Sequence, residues 1–115
     1  EEPTKSANLI KNLLIKNKKI TAIICSTEYT AVGAIKACNE LNKKIGKDIS
    51  IVTFDGPVVK RLTTPALSAI VHPREQLGIK AVEMLLSMDG DNYKHQNFLA
   101  KPKLIDRGTI HKVSK

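Results

Sequence analysis

A chain of 115 residues with 42% hydrophobic and 26% charged residues has the composition of one folded domain with a modest core, which argues against wholesale disorder. Its longest apolar run, within residues 20–25, falls far short of the ~20 residues a bilayer crossing needs. The net charge is +8, but the basic residues are mostly scattered lysines and only two Tyr and two Phe are present, so the excess reads as a solvated lysine-rich surface rather than a nucleic-acid face.

Residues 4–17 carry Ala7, Ile10, Leu13 and Leu14 at helical spacing, with Thr4 or Ser6 as the expected cap. Residues 20–25 are a β-branched apolar run, expected as a buried strand. Helical spacing returns over 28–44 through Ala31, Ala34, Ile35, Cys38 and Leu41. Thr27 is placed to cap that helix, Glu28 suits its positive end, and Gly46 is expected to stop it. Gly33 inside it costs about 1 kcal/mol relative to Ala, which implies close helix packing.

A second strand is expected over 49–54, followed by a sharp Asp55-Gly56-Pro57 turn into a short helix near 57–63. A third strand covers 67–71. Pro73 then opens a helix over 73–88 whose stripe of Leu77, Ala81, Met84, Leu85 and Met88 must bury somewhere. Residues 88–92 read as a loop, 96–107 as extended edge structure around Pro102, and 111–115 as a frayed end.

Alternating helices and apolar strands define an α/β fold, a three-layer α/β/α arrangement around a mainly parallel sheet. Right-handed crossovers place Ser26-Thr27-Glu28, Asp55-Gly56-Pro57 and His72-Pro73-Arg74 along the carboxyl edge, where open α/β sheets bind ligands. Asp55 reads equally as a helix N-cap and as an acceptor for ligand hydroxyls; Thr27 and Glu28 carry the same ambiguity.

No cofactor or metal is expected: there is no Gly-rich dinucleotide or P-loop motif and no His, Cys and Asp cluster with ligand spacing. Cys25 and Cys38 lie in apolar patterns and read as buried reduced thiols. Cys25, His72 and Asp55 could be drawn as a nucleophile, base and orienter for a small hydrolase. Cys25, however, lacks the Gly-flanked turn that exposes such a nucleophile, and the expectation is a non-enzyme.

Several segments together resemble the LacI/GalR family of bacterial transcription regulators. TAIICSTEYTAVGAIKA (residues 21–37) is similar to the family's "TAI…ND..A.GA..A" segment, and DISIVTFD (residues 48–55) to its "D(I/V)S(V/I)(V/I)GFD" strand. TPALSAIVHP (residues 64–73), the LG and LL pairs of residues 77–86, and PKLIDRGT (residues 102–109) match its later motifs, in order and at the right spacing. The resemblance covers roughly residues 5–110.

It implies the carboxy-terminal part of a periplasmic binding protein type I-like effector domain. Residues 1–115 would be a fragment of an effector-binding and dimerisation domain, with about 73–101 crossing to an amino-terminal lobe not included here. The helix-turn-helix would also lie outside these residues, so operator DNA would be reached only through a domain absent from this chain. The resemblance carries ligand-binding roles onto Asp55, Thr27 and Ile24, and homodimer contacts onto Val32, Lys36 and Leu62. It implies a small-molecule effector, a sugar or sugar-like compound, in a cytoplasmic repressor without membrane contact. Two departures bear on effector class: Thr27-Glu28 stands in place of the usual Asn-Asp pair, and Thr53 in place of the usual Gly. The alternative is part of an extracytoplasmic sugar-binding protein serving a transporter.

Overall fold

A computed structural model describes residues 2–55, 63–88 and 95–113. Within them the order is α1 (Pro3–Lys16), β1 (Ala22–Cys25), α2 (Glu28–Glu40), β2 (Ser50–Phe54), β3 (Ser68–Val71), α3 (Arg74–Leu86) and β4 (Lys103–Ile105). The short helix expected near 57–63 and the loop of 88–92 fall mostly outside the described residues. The chain divides into two compact units, one formed by Glu1–Val71 with Leu104–Lys115 and the other by His72–Lys103.

In the first unit the sheet runs in the order β1-β2-β3-β4. β1 pairs parallel with β2, matching Ile24 to Val52 and Cys25 to Thr53; β2 pairs parallel with β3, matching Thr53 to Ala69 and Phe54 to Ile70. Because side chains alternate across a sheet, this register puts Cys25, Ile51, Thr53, Leu67 and Ala69 on one face, and each is almost fully buried. α1 and α2 supply Ile10, Leu14, Ala31, Ala34, Ala37 and Cys38 to the same core.

Gly33 explains how closely the two helices meet. A Cβ there would lie 2.6 Å from Ser6 Cβ, 2.8 Å from the Pro3 carbonyl oxygen and 2.9 Å from the Ala7 nitrogen. The packing inferred from that glycine is therefore present. Thr27 is the N-cap of α2, as expected, with Thr30 N–H donating to its Oγ1 at 3.2 Å.

Four expectations in the first unit need correction. α1 is capped by neither Thr4 nor Ser6. Glu2 is its N-cap residue and Pro3 opens the first turn, where a missing N–H costs nothing. β1 is not sealed on both faces: it is an edge strand of this sheet and Ile24 is 71% exposed. α2 stops at Glu40 rather than at Gly46, because Asn42 takes the left-handed conformation (φ 53°) and Lys43 N–H donates to the Cys38 carbonyl at 2.9 Å. Gly46 serves a different purpose, since at φ 78° a Cβ would sit only 2.1 Å from the Gly108 carbonyl oxygen.

The fourth correction concerns residues 111–115, expected to fray: His111 is tied down, while residues 114 and 115 lie outside the described residues. His111 N–H donates to Ser50 Oγ at 3.1 Å, and its Nδ1 shares a 2.8 Å hydrogen bond with the same hydroxyl. Thr109, two residues earlier, is fully buried.

The second unit is built on α3. Arg74 is its first residue and Pro73 its N-cap; none of its side chains is buried. The stripe expected to form core is largely solvent-facing instead, with Leu85 65% and Met88 50% exposed. A groove of about 420 Å³ in this unit is lined by Glu75, Gln76, Ile79, Lys80, Glu83 and Phe98.

Candidate functional site

β1, β2 and β3 all run the same way, so their carboxyl ends meet at one edge. Asp55 leaves β2 there with φ 60°, a left-handed conformation that Asp tolerates better than most side chains. Its backbone is held in place: Asp55 N–H donates to the Ile70 carbonyl at 2.8 Å. Non-glycine residues kept in that region concentrate at functional sites, where the surrounding structure holds them. The helix that an N-capping Asp55 would start lies outside the described residues.

Ile24 stands on the sheet face opposite the core. By register it shares that face with Val52, Phe54 and Ile70. Ile24 is 71% and Phe54 36% exposed, while Val52 and Ile70 are half-buried. An apolar platform thus adjoins the Asp55 corner. Phe54 was missed as a site residue in the sequence. The signal for it was the strand alternation that sends Thr53 inward and its neighbour outward.

Thr27 lies at the same edge, after β1. Its hydroxyl already accepts from Thr30 N–H and shares a 3.0 Å hydrogen bond with Thr30 Oγ1, so its capping role is structural. Val32 and Lys36 share one side of α2 and line a groove of about 480 Å³ with Ile35, Asn39, Thr63 and Thr64. Tyr29, one turn earlier on that side, is 63% exposed. Leu62, the third expected interface residue, lies outside the described residues.

Cys25 is fully buried, and burial, with Cys38 nearby, pushes its thiol up to about 11. A protonated, sealed thiol is no nucleophile, which removes the basis for the hydrolase reading. Among the described residues no group of three or more His, Cys, Asp or Glu side chains could hold a metal ion, and no helix is long and apolar enough to cross a membrane.

A parallel sheet with its helices packed on small residues, and a polar corner beside an exposed apolar platform at the carboxyl edge, defines an open α/β domain of the kind that binds ligands at that edge. A family model described as a periplasmic binding protein-like domain matches residues 2–110. The chain belongs to that family, in the group found in LacI/GalR regulators. It is 32% identical over 110 residues to the HTH-type transcriptional repressor PurR of Edwardsiella ictaluri, an alignment covering 95% of this chain and 32% of that protein. A PurR family transcriptional regulator from Vibrio parahaemolyticus superposes with a TM-score of 0.79 at 26% identity, over 94% of this chain and 39% of that one. A sugar-binding transcriptional regulator of the LacI family from Escherichia coli, complexed with phosphate, gives 0.77 at 25% identity, over 96% and 40%. The chain therefore spans about a third of the length of the curated relatives it matches.

Proposed function

We propose that this chain is the effector-binding and dimerisation part of a LacI/GalR-type transcriptional regulator, with a sugar or sugar-like small molecule as effector. The observation that carries the reading is the Asp55 corner: a carboxyl side chain on a backbone pinned to Ile70, beside the exposed Ile24 and Phe54. A sugar offers hydroxyl donors that a carboxylate accepts and a C–H face that an apolar platform covers. Asp55 supplies the first, and Ile24 with Phe54 the second. Thr27 contributes by holding the start of α2 at the edge. The sugar-binding relative from Escherichia coli supports the effector class.

The mechanism is linkage, with no bond made or broken. The effector favours one arrangement of the two lobes of the intact protein, and that arrangement sets how DNA-binding heads carried outside this chain engage an operator. The His72–Lys103 unit supports this reading, because α3 leaves its apolar stripe uncovered and residues 73–101 would belong with the second lobe. The homodimer would form over Val32 and Lys36 on α2, together with Leu62. Such a regulator works in the cytoplasm, in contact with DNA.

The test is thermal unfolding of the whole protein against a panel of mono- and disaccharides. A bound effector at ~100 times its dissociation constant adds about 2.7 kcal/mol. Asp55→Asn, which keeps a side chain that tolerates the left-handed backbone, should remove most of that gain, measured against the variant's own ligand-free midpoint. A variant that keeps the full gain would remove Asp55 from the site, and a panel without any shift would overturn the sugar assignment.

A further inference from the structure

Val71 leaves the first unit and Leu104 re-enters it, so the two units are joined by two chain passages. A few residues inside the first unit, one set of side chains ties those passages together. Ser68 Oγ, on the outgoing strand, donates to Asp106 Oδ1 at 2.8 Å and accepts from Arg107 N–H at 2.9 Å. The Arg107 guanidinium donates to the Leu67 carbonyl. Thr109 Oγ1 accepts from Ser68 N–H at 2.9 Å and donates to the Ile51 carbonyl at 2.7 Å. Ile51 N–H in turn donates to the Thr109 carbonyl at 2.9 Å.

Ser68 and Thr109 are fully buried, so none of these bonds at their side chains can be exchanged for water without opening the segment. Asp106 also accepts from Gly108 N–H at 2.9 Å. That bond, with the one from Ser68, holds its carboxyl below the usual range and keeps it an acceptor. Residues 104–111 are thus a strap laid over the amino ends of β2 and β3, anchored at Thr109 and again at His111 on Ser50.

We infer that Ser68, Asp106, Arg107 and Thr109 form a clamp that makes the outgoing and returning passages one stiff stalk, and that they are positioning residues for effector response. With the passages free, each would flex by itself and movement of residues 72–103 would dissipate in the linkers. With them clamped, the movement acts on β3 as a body. β3 reaches the corner directly, because Ile70 accepts the Asp55 N–H. This last step rests on the effector reading above; the clamp itself does not.

The experiment is amide hydrogen exchange on the whole, ligand-free protein, which leaves the effector assignment out of the measurement. Ser68→Ala should speed exchange about tenfold in residues 104–108 and equally in residues 70–74, while the β1–β2 ladder keeps its protection. Thr109→Val should do the same, and Thr109→Ser, which keeps the hydroxyl, should restore wild-type rates. Should the buried-site variants fold poorly, Asp106→Ala, on an exposed side chain, must reproduce the pattern. Faster exchange in 104–108 with 70–74 unchanged would overturn the stalk. A uniform rise that includes β1 and β2 would reduce the cluster to general stability and overturn its positioning role. Sugars that fail to shift the intact protein would defeat the effector reading and leave the exchange result standing.

Discussion

α2 and α3 are both thirteen residues long, and they have opposite fates. α2 buries Ala31, Gly33, Ala34, Ala37 and Cys38, all small. α3 carries Leu77, Ile79, Val82, Met84, Leu85 and Leu86, and buries none of them. The larger apolar side chains of α2, Val32 and Ile35, are only partly buried against the core, and those of α3 have no core to join. Small residues let α2 approach α1 and the sheet until no space is left, whereas a stripe of large ones states only that some surface must eventually cover it. Helix formation is decided within the segment; burial is decided by what stands beside it.

The sharpest way to break this comparison is to enlarge the contact of α2. Gly33→Val should destabilise the protein by about 3 kcal/mol, read as a lower urea midpoint, because the added carbons meet backbone atoms of α1 that cannot step aside. An unchanged midpoint would mean that α1 and α2 are not in contact at that distance.

Next in size is the dryness of the same packing. The Cys25 thiol is raised from an ordinary 9.0 to about 11, first by burial and then by Cys38. The unfolded chain loses this proton near the ordinary 9.0 while the folded one holds it, so the stabilisation is complete below that pH and is lost as pH rises toward the folded value. Between about pH 9 and 11 stability should fall by about 2–3 kcal/mol from this group. At neutral pH a thiol reagent should modify Cys25 no faster than the protein opens. Rapid labelling of the native protein would show that the α2 contact admits water.

The smallest effect should have the opposite sign. Gly78 sits in α3 with nothing within 4 Å of where a Cβ would be. Gly78→Ala should therefore stabilise by about 1 kcal/mol, through helix propensity alone. A loss instead would show that this side of α3 is covered in solution, so the two glycine variants together measure the contrast between the helices.

Much of this was legible in residue order. Thr27 before Glu28 marked a helix start, and Gly33 marked a close approach, because both signals act within a turn or two of chain. The placement of Thr27 and Asp55 at one edge followed from strand polarity, whereas Ile24 was carried over by the family resemblance alone. Asn42 was passed over as the helix stop because Gly46 offered the more familiar residue for a left-handed position, although Asn is the next best. Phe54 was missed because its exposure depends on which face the strand turns outward.

The sequence by itself determined the order of helices and strands, the parallel sense of the sheet and the edge at which ligands would meet it, since each follows from local periodicity and the handedness of short connections. Only the tertiary structure decided that one face of β1 is exposed and that α3 keeps its stripe largely in the open. It alone showed that residues 104–111 are a strap locked onto Ser50, Ile51 and Ser68. The strap depends on hydrogen bonds between residues some forty to sixty positions apart, such as Ser68 with Asp106 and Thr109 with Ile51, and the two exposed faces depend on what distant segments leave uncovered. No pattern within a single segment encodes which distant carbonyl a buried hydroxyl will find.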